Sequence, residues 1–222
     1  MCDPACGTET VRRIFLFECA VRISPKQRKE IIMVNEKKTK SKTMILAECA
    51  VMVALSTALS LVKLWEMPLG GSVTLLSMLP VMLIALRHGT AIGLGTAFVY
   101  ATGQLFLGLP SLMSWGMTPA MWVGSVVFDY LLAFTLLGFA GVFKRYGVKG
   151  AIAGIVFACA FRFVSHFISG SIFFAVWCPE GWNVILYSIC YNGAYMGVEL
   201  VLTILGASLL LASKPMRKLI GL

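Results

Sequence analysis

Charged residues are scarce in this sequence. Only 13% of its 222 residues are charged, whereas 59% are hydrophobic and the mean hydropathy is +0.86. A soluble globule of this size needs more polar surface than this composition can supply. The scarcity of charge therefore excludes an ordinary soluble domain and indicates that the protein lies in a lipid bilayer.

Several enzyme motifs are also missing. The chain has no GxxxxGK[ST] loop to hold nucleotide phosphates, so we do not expect it to hydrolyse ATP by the usual route. It has neither an HExxH nor a GxSxG motif. We therefore predict that the protein is not an enzyme and that it has no catalytic residues.

The cysteines do not form a recognisable metal or disulfide pattern. They include no CxxC pair and are not accompanied by a histidine-rich cluster. We therefore predict no metal site, no cofactor and no disulfide framework. The seven cysteines are Cys2, Cys6, Cys19, Cys49, Cys159, Cys178 and Cys190.

The net charge of +9 does not indicate a nucleic-acid partner. A protein that binds nucleic acid gathers Lys and Arg along one exposed face or groove. Here the basic residues stand between apolar runs, where they report membrane topology. We therefore exclude nucleic acid as a partner and take the lipid bilayer as the surroundings.

Six apolar runs follow residue 43. A helix needs about 20 residues to cross a hydrocarbon core of roughly 30 Å, so we predict an all-α integral membrane protein with six transmembrane helices. The second run is short, and we expect it to be tilted or extended by its flanks. The runs cover residues 44–62, 73–86, 89–108, 119–143, 148–177 and 184–212.

The first 43 residues differ from the rest in their mixed charge and two prolines. We predict an N-terminal extension that is disordered or results from a misassigned start, then a membrane domain at 44–215 and a cytoplasmic tail at 216–222. Codons for residues 28–30 can read AGGAAGGAG, which would form a bacterial ribosome-binding site just before Met33. Met33 is therefore the predicted natural start, and mass spectrometry of the native N-terminus would test it.

The basic residues predict the orientation of the helices. Only Lys63 falls on one side, so the positive-inside rule places both termini in the cytoplasm. The loops around residues 63–72, 109–118 and 178–183 then face outward. The basic residues on the cytoplasmic side are Lys37, Lys38, Lys40, Lys42, Arg87, Lys144, Arg145, Lys149, Lys214, Arg217 and Lys218.

Five ionisable side chains fall inside the apolar runs: Glu48, Asp129, Arg162, His166 and Glu199. Each costs roughly 2.5–3.5 kcal/mol at mid-helix on insertion scales, so each needs a partner or a purpose. Glu48 lies near the cytoplasmic end of the first helix, where a carboxylate suits the helix dipole. Glu199 is most simply a structural group paired with a neighbour.

Some of these groups share a helix face or a depth. Arg162, His166, Gly170 and Phe174 recur every four residues and so lie along one stripe. At a rise of about 1.5 Å per residue, Asp129 and His166 fall at a similar depth below the outer surface. Asn192 falls at that depth as well.

These side chains could line an outward-facing pocket together with Tyr130, Tyr187 and Tyr191. Aromatic rings beside one carboxylate suit a flat, cationic, heteroaromatic ligand. Other interpretations stay open: Asp129 and Arg162 could neutralise one another, and His166 and Asn192 could join helices. Aromatic residues near helix ends, such as Trp65, Trp115, Trp177 and Trp182, are typical of interfacial anchors.

Ala50, Ala54 and Ala58 are spaced by four on the first helix. Such a stripe of small residues lets another helix approach closely. The spacing alone does not decide whether that helix belongs to this chain or to a partner.

Four segments stand out in their order and spacing: MPLGGSVTLLSMLPVMLIALRHG at 67–89, FDYLLAF at 128–134, FRFVSHFISGSIFF at 161–174 and YSICYNGAYM at 187–196. Together they resemble the thiamine-specific S components of energy-coupling-factor transporters, a family also described as proton-coupled thiamine transporters. The resemblance extends over about residues 44–215.

The resemblance implies that Asp129 binds the aminopyrimidine ring of thiamine together with His166, Tyr187 and Asn192. Phe174 stands where some members have Trp, and Trp offers the better cation–π face. The full set of predicted substrate-binding residues is Asp129, Tyr130, Arg162, His166, Gly170, Phe174, Tyr187 and Asn192.

The resemblance also implies a division of labour between chains in a bacterial cytoplasmic membrane. This multi-pass chain would capture thiamine, while a membrane T component and two ATPase subunits drive its reorientation. Ala50 and Ala54, with Ala58 continuing the stripe, would dock the T component. Loop 63–72, with Gly70 and Gly71, is the predicted lid, because glycine permits the backbone changes of a gate.

Three alternatives remain at this stage. The same fold could bind another vitamin or a pyrimidine precursor such as hydroxymethylpyrimidine. The chain could be a self-sufficient proton-coupled carrier that uses Asp129 or His166 as a relay. It could also be a membrane enzyme, for which the sequence offers no constellation of residues.

Overall fold

The computed structural model describes the backbone of residues 25–68 and 70–222, and the side chains of residues 42–68 and 70–222. Residues 48–222 form one compact unit.

The described chain begins with a long helix, α1, at Pro25–Ser60. This helix continues through the predicted domain boundary at residue 43, so residues 25–43 are helical. Its part from Lys42 to Ser60 is long and apolar enough to cross a membrane. Our predictions for residues 1–24 lie outside the described residues, and the start at Met33 stays a prediction.

A short hairpin follows α1, where we predicted a loop and the start of a second helix. Strand β1, Lys63–Glu66, pairs antiparallel with strand β2, Ser72–Thr74, and the register aligns Trp65 with Val73. The prediction of a membrane helix over 73–86 is therefore wrong about where the helix begins. The β-branched pair Val73 and Thr74 favours a strand, and it packs on the protein rather than on lipid.

Helix α2, Leu79–His88, has only ten residues and is the centre of the core. It spans about 15 Å, which is half of the hydrocarbon thickness. Its residues 79–86 are all buried. They pack against Tyr100, Leu137, Ile155 and Leu211 of later elements. A short apolar helix is stable here because protein surrounds it.

Helix α3 runs from Thr90 to Ser114, six residues beyond the predicted end of that run. The predicted outer loop at 109–118 therefore shrinks to residues 115–118. The next helix starts where the sequence indicates, because Pro119 suits a first helical turn and the Thr118 side chain accepts a hydrogen bond from the Met121 amide.

Residues Pro119–Ile172 form a helical stretch of 54 residues that is interrupted by irregular turns. Gly147, with a positive φ of 70°, begins the long helix that ends this stretch. The elements are α4 at Pro119–Ser125, a π-helix at Val126–Leu132, α5 at Ala133–Thr135, 3₁₀ turns at Leu136–Gly141 and Lys144–Tyr146, and α6 at Gly147–Ile172.

Helix α7 covers Val184–Ala212, the same bounds as the last predicted run. The Asn183 side chain caps its first turn by accepting from the amides of Ile185 and Leu186. A 3₁₀ turn at Ala175–Trp177 precedes it, and a short helix, α8, follows at Lys214–Ile220. The predicted tail thus contains a helix whose last residue, Ile220, is buried in the core.

The described residues contain four stretches long and apolar enough to cross a membrane: Lys42–Ser60, Thr90–Ser114, Pro119–Ile172 and Val184–Ala212. The prediction of a mostly helical membrane protein is therefore confirmed, although the described residues also contain the β-hairpin.

Candidate functional site

A cavity of about 280 Å³ lies between the hairpin, α3, the π-helix, α6 and α7. Small-ligand pockets are roughly 300–1,000 Å³, so this cavity suits a compact molecule. The structure brings all eight residues predicted to bind substrate to its wall: Asp129, Tyr130, Arg162, His166, Gly170, Phe174, Tyr187 and Asn192.

The π-helix at Val126–Leu132 holds Asp129, one of the acidic residues that line this cavity. A π-helical turn is rare, widens the helix and is common at functional sites. The Ser165 hydroxyl of α6 donates to the Phe128 carbonyl at 2.6 Å, which ties the two elements together next to Asp129.

The Asp129 carboxylate is held from two sides by α6. His166 Nδ1 donates to one of its oxygens at 3.0 Å, and the Ser169 hydroxyl donates to the other at 2.6 Å. Each carboxylate oxygen keeps a further lone pair for a ligand donor. The other ring nitrogen of His166, Nε2, is buried and has no hydrogen-bond partner among the described residues. The pair therefore offers the carboxylate oxygens of Asp129 as acceptors.

The structure contradicts the interpretation that Arg162 and Asp129 neutralise one another. Arg162 Nη1 donates instead to Glu199 Oε2 at 2.9 Å, with side-chain exposures of 6% and 3%. The guanidinium also lies over the Phe134 ring, 4.5 Å from its centroid. Arg162 on α6 and Glu199 on α7 therefore form a buried ion pair. Consequently no arginine among the described residues forms an ion pair with Asp129.

Glu199 also fastens the base of the hairpin. The Thr74 hydroxyl donates to Glu199 Oε1 at 2.7 Å, and the Ser77 hydroxyl is 2.6 Å from that of Thr74. The expectation that Glu199 pairs with a neighbour is met, and the neighbours are Arg162 and Thr74.

One face of α7 carries a row of tyrosines. The rings of Tyr187 and Tyr191 have centroids 5.8 Å apart, and those of Tyr191 and Tyr195 6.2 Å apart. The Tyr195 hydroxyl donates to Asn192 Oδ1 at 3.0 Å, while Asn192 Nδ2 donates to the Ser188 carbonyl at 2.9 Å. These contacts fix Asn192 in the wall.

Sequence reasoning missed two members of this face. Tyr195 and Glu199 line the cavity, but we did not select either as a binding residue. The spacing of four that joins Tyr187, Tyr191, Tyr195 and Glu199 was the available signal. We recognised a stripe of this kind on α6 but did not recognise the corresponding stripe on α7.

Trp115 also belongs to the cavity wall, although we interpreted it as an interfacial anchor. Its ring meets that of Phe174 edge to face, with centroids 5.9 Å apart. It also packs on the hairpin turn at Gly70, where a Cβ would lie 2.5 Å from the indole. Other wall residues that sequence reasoning did not find include Ser60, Tyr100 and Gln104.

Gly170 is required by close packing between α6 and α7. A Cβ at this position would collide with the Ser188 hydroxyl and lie 3.1 Å from Asn192 Nδ2. Gly170 therefore lets both polar side chains reach the cavity.

The remaining predicted residues lie elsewhere. Ala50, Ala54 and Ala58 are exposed on α1 and do not line the cavity. Glu48 has specific partners beyond the helix dipole: its carboxylate binds Arg87 Nη2 at 2.9 Å and His88 Nε2 at 2.7 Å.

Comparison with known proteins finds thiamine transporters that are similar to this chain. The chain is 29% identical over 184 residues to the thiamine transporter ThiT of Bacillus subtilis (strain 168), which covers 77% of this chain and 91% of that protein. It is also 29% identical over 157 residues to ThiT of Lacticaseibacillus paracasei, covering 62% of this chain and 72% of the relative.

A solved structure has the same fold. ThiT from Listeria monocytogenes superposes with a TM-score of 0.64 at 25% identity, covering 81% of this chain and 98% of that one. Residues 46–219 match the family described as Thiamine transporter protein (Thia_YuaJ). Because this match extends over most of the sequence, the chain belongs to the thiamine transporter protein family.

Proposed function

We propose that this chain binds thiamine in the cavity and serves as the substrate-capture subunit of an ATP-driven energy-coupling-factor transporter. It works in the cytoplasmic membrane of a bacterium, as a multi-pass protein. The observation that carries this proposal is the Asp129 carboxylate, held by His166 and Ser169 and not neutralised by Arg162, in an aromatic cavity of about 280 Å³.

The chemistry of thiamine fits this wall. Its aminopyrimidine ring carries an N–H donor and ring nitrogens that accept, and its thiazolium ring is a permanent cation. Asp129 supplies a negative charge and an acceptor for the amino group. Tyr187 and its neighbouring rings offer π faces to the cation. The other predicted residues, Tyr130, Arg162, Gly170, Phe174 and Asn192, shape or complete the wall.

The six-helix arrangement with both termini in the cytoplasm forms part of the proposal. A straight helix of 54 residues would be about 80 Å long, far more than one crossing of a bilayer. The turn before Gly147 divides Pro119–Ile172 into two crossings. Helix α2 is the short second member, enclosed by the others.

Two further assignments belong to this function. The exposed alanines Ala50, Ala54 and Ala58 form the face of α1 that docks the membrane T component, which acts with two ATPase subunits. The hairpin, in place of the predicted loop 63–72, is the lid of the cavity, because its turn packs on Trp115.

Uptake of radiolabelled thiamine tests this function. Cells that express the chain together with its T component and ATPases are expected to accumulate thiamine. Cells in which an ATPase carries an inactivating P-loop substitution are expected to bind thiamine at the surface without accumulating it. Accumulation that persists without ATPase activity, and that collapses with the proton gradient, would instead identify a self-sufficient carrier.

Gly170→Ala is expected to weaken thiamine binding by roughly 5- to 150-fold, since overpacking costs about 1–3 kcal/mol. The added methyl would push Ser188 and Asn192 out of position. Isothermal titration of the purified protein measures the change. Gly193→Ala is the matched control, because its Cβ on α7 would meet no atom of the described residues within 4 Å. Equal affinities for the two variants would contradict the role of Gly170.

A further inference from the structure

Helix α1 is fastened to the rest of the unit by a polar contact near each end of its apolar part. At one end Glu48 binds Arg87 and His88, the last two residues of α2, through both carboxylate oxygens. At the other end Gln104 Nε2 of α3 donates to the Ser60 hydroxyl at 2.9 Å. The two contacts are about 18 Å apart along the helix.

Among the described residues, this helix buries less of its surface than the other long helices do. In its most apolar stretch 11% of the residues are buried, against 22–33% in the other three apolar stretches. A helix with so few buried contacts can rotate or slide at low cost unless directional bonds fix it. A carboxylate that binds two partners is directional, because both of its oxygens must face α2.

The fixed rotation decides which face of α1 points outward. At about 100° per residue, Ala50 lies about 160° and Ala54 about 120° around the helix from Glu48. The alanines are exposed, whereas Ser56 and Ser60 on the inner side are buried. Holding Glu48 against α2 therefore presents the alanine face away from the protein.

We propose that Glu48 is a positioning residue for transport: its contacts with Arg87 and His88 set the rotation of α1 that presents Ala50 and Ala54 to the membrane coupling protein. This inference rests on the proposed function. Glu48, Arg87 and His88 do not line the cavity, so the contact acts on coupling and not on ligand capture. Ser60 and Gln104 do line it, which places the other contact of the helix next to the ligand.

The test separates binding from transport. Thiamine affinity is measured on the purified full chain, and uptake is measured in cells that hold the coupling protein and ATPases, normalised to the amount of chain in the membrane. Glu48→Ala is expected to reduce uptake about tenfold or more while the dissociation constant stays within about twofold of wild type. Glu180→Ala, at an exposed carboxylate on a loop, should leave both unchanged.

Rescue distinguishes positioning from general stability. Glu48→Arg combined with Arg87→Glu reverses the ion pair and is expected to recover at least half of the uptake lost in Glu48→Arg alone. Affinity and uptake that fall in parallel in Glu48→Ala, or uptake that stays at the wild-type level, would overturn the inference. If the purified wild-type chain does not bind thiamine, the proposed function itself is wrong. The affinity measurement shows this independently of uptake.

Discussion

Asp129→Asn is expected to remove most of the thiamine affinity of the purified protein. The substitution keeps the size of the side chain and removes its charge, so the ligand's amino group and cation lose their charged partner. Truncating one side of a buried, hydrogen-bonded charge pair costs about 2–5 kcal/mol, which corresponds to a roughly 30- to several-thousand-fold weaker dissociation constant. Isothermal titration calorimetry of the purified variant measures this dissociation constant.

The control for this prediction is Glu180→Gln, at an exposed carboxylate in the loop before α7. It removes the same charge at a distance from the cavity wall and should leave affinity unchanged. Thermal unfolding of both variants in detergent shows whether the fold persists. An Asp129→Asn protein that unfolds like wild type and binds thiamine with undiminished affinity would contradict the assigned role of Asp129.

The second large effect is expected on stability, at the Arg162–Glu199 pair. Both side chains are almost fully buried, so removing one leaves the other charge without its partner. Breaking such a pair costs about 3–5 kcal/mol, and for a chain of this size that lowers the unfolding temperature by roughly 6–20 °C. Arg162→Met and Glu199→Gln should each show this fall in detergent.

The double substitution Arg162→Met with Glu199→Gln is the diagnostic control. Removing both charges leaves no unpaired ion, so the double variant should unfold at a higher temperature than either single variant. If the effects of the two single changes simply add, the two side chains do not stabilise each other. In that case Arg162 would again be a candidate partner of the ligand.

Much of the fold could be predicted from hydrophobicity because lipid imposes a simple rule. Helix α7 has the bounds of its apolar run, Val184–Ala212, since both its flanks are polar and Asn183 supplies the cap. The same rule fails for residues 73–86. Hydropathy cannot separate a residue that faces lipid from one that faces protein, so a strand and a short buried helix were read as one span.

The candidate site shows the same division. Residues on one helix could be grouped by a spacing of four, and Arg162, His166, Gly170 and Phe174 do meet one cavity. Pairings between helices depend on the relative rotation of the helices, which spacing does not give. That is why a pairing of Arg162 with Asp129 stayed open as an alternative although Arg162 binds Glu199, and why Trp115 was taken for an anchor.

Titration of thiamine into the detergent-purified wild-type chain, followed by tryptophan fluorescence, tests the central claim most directly. Trp115 lines the cavity, so we expect its fluorescence to change when a ligand binds there. We expect thiamine to quench this fluorescence saturably. Hydroxymethylpyrimidine, which lacks the cationic ring, should displace thiamine only at much higher concentration. Two results would contradict thiamine as the ligand. One is a folded protein that shows neither quenching nor heat of binding with thiamine; the other is tighter binding of the uncharged pyrimidine than of thiamine.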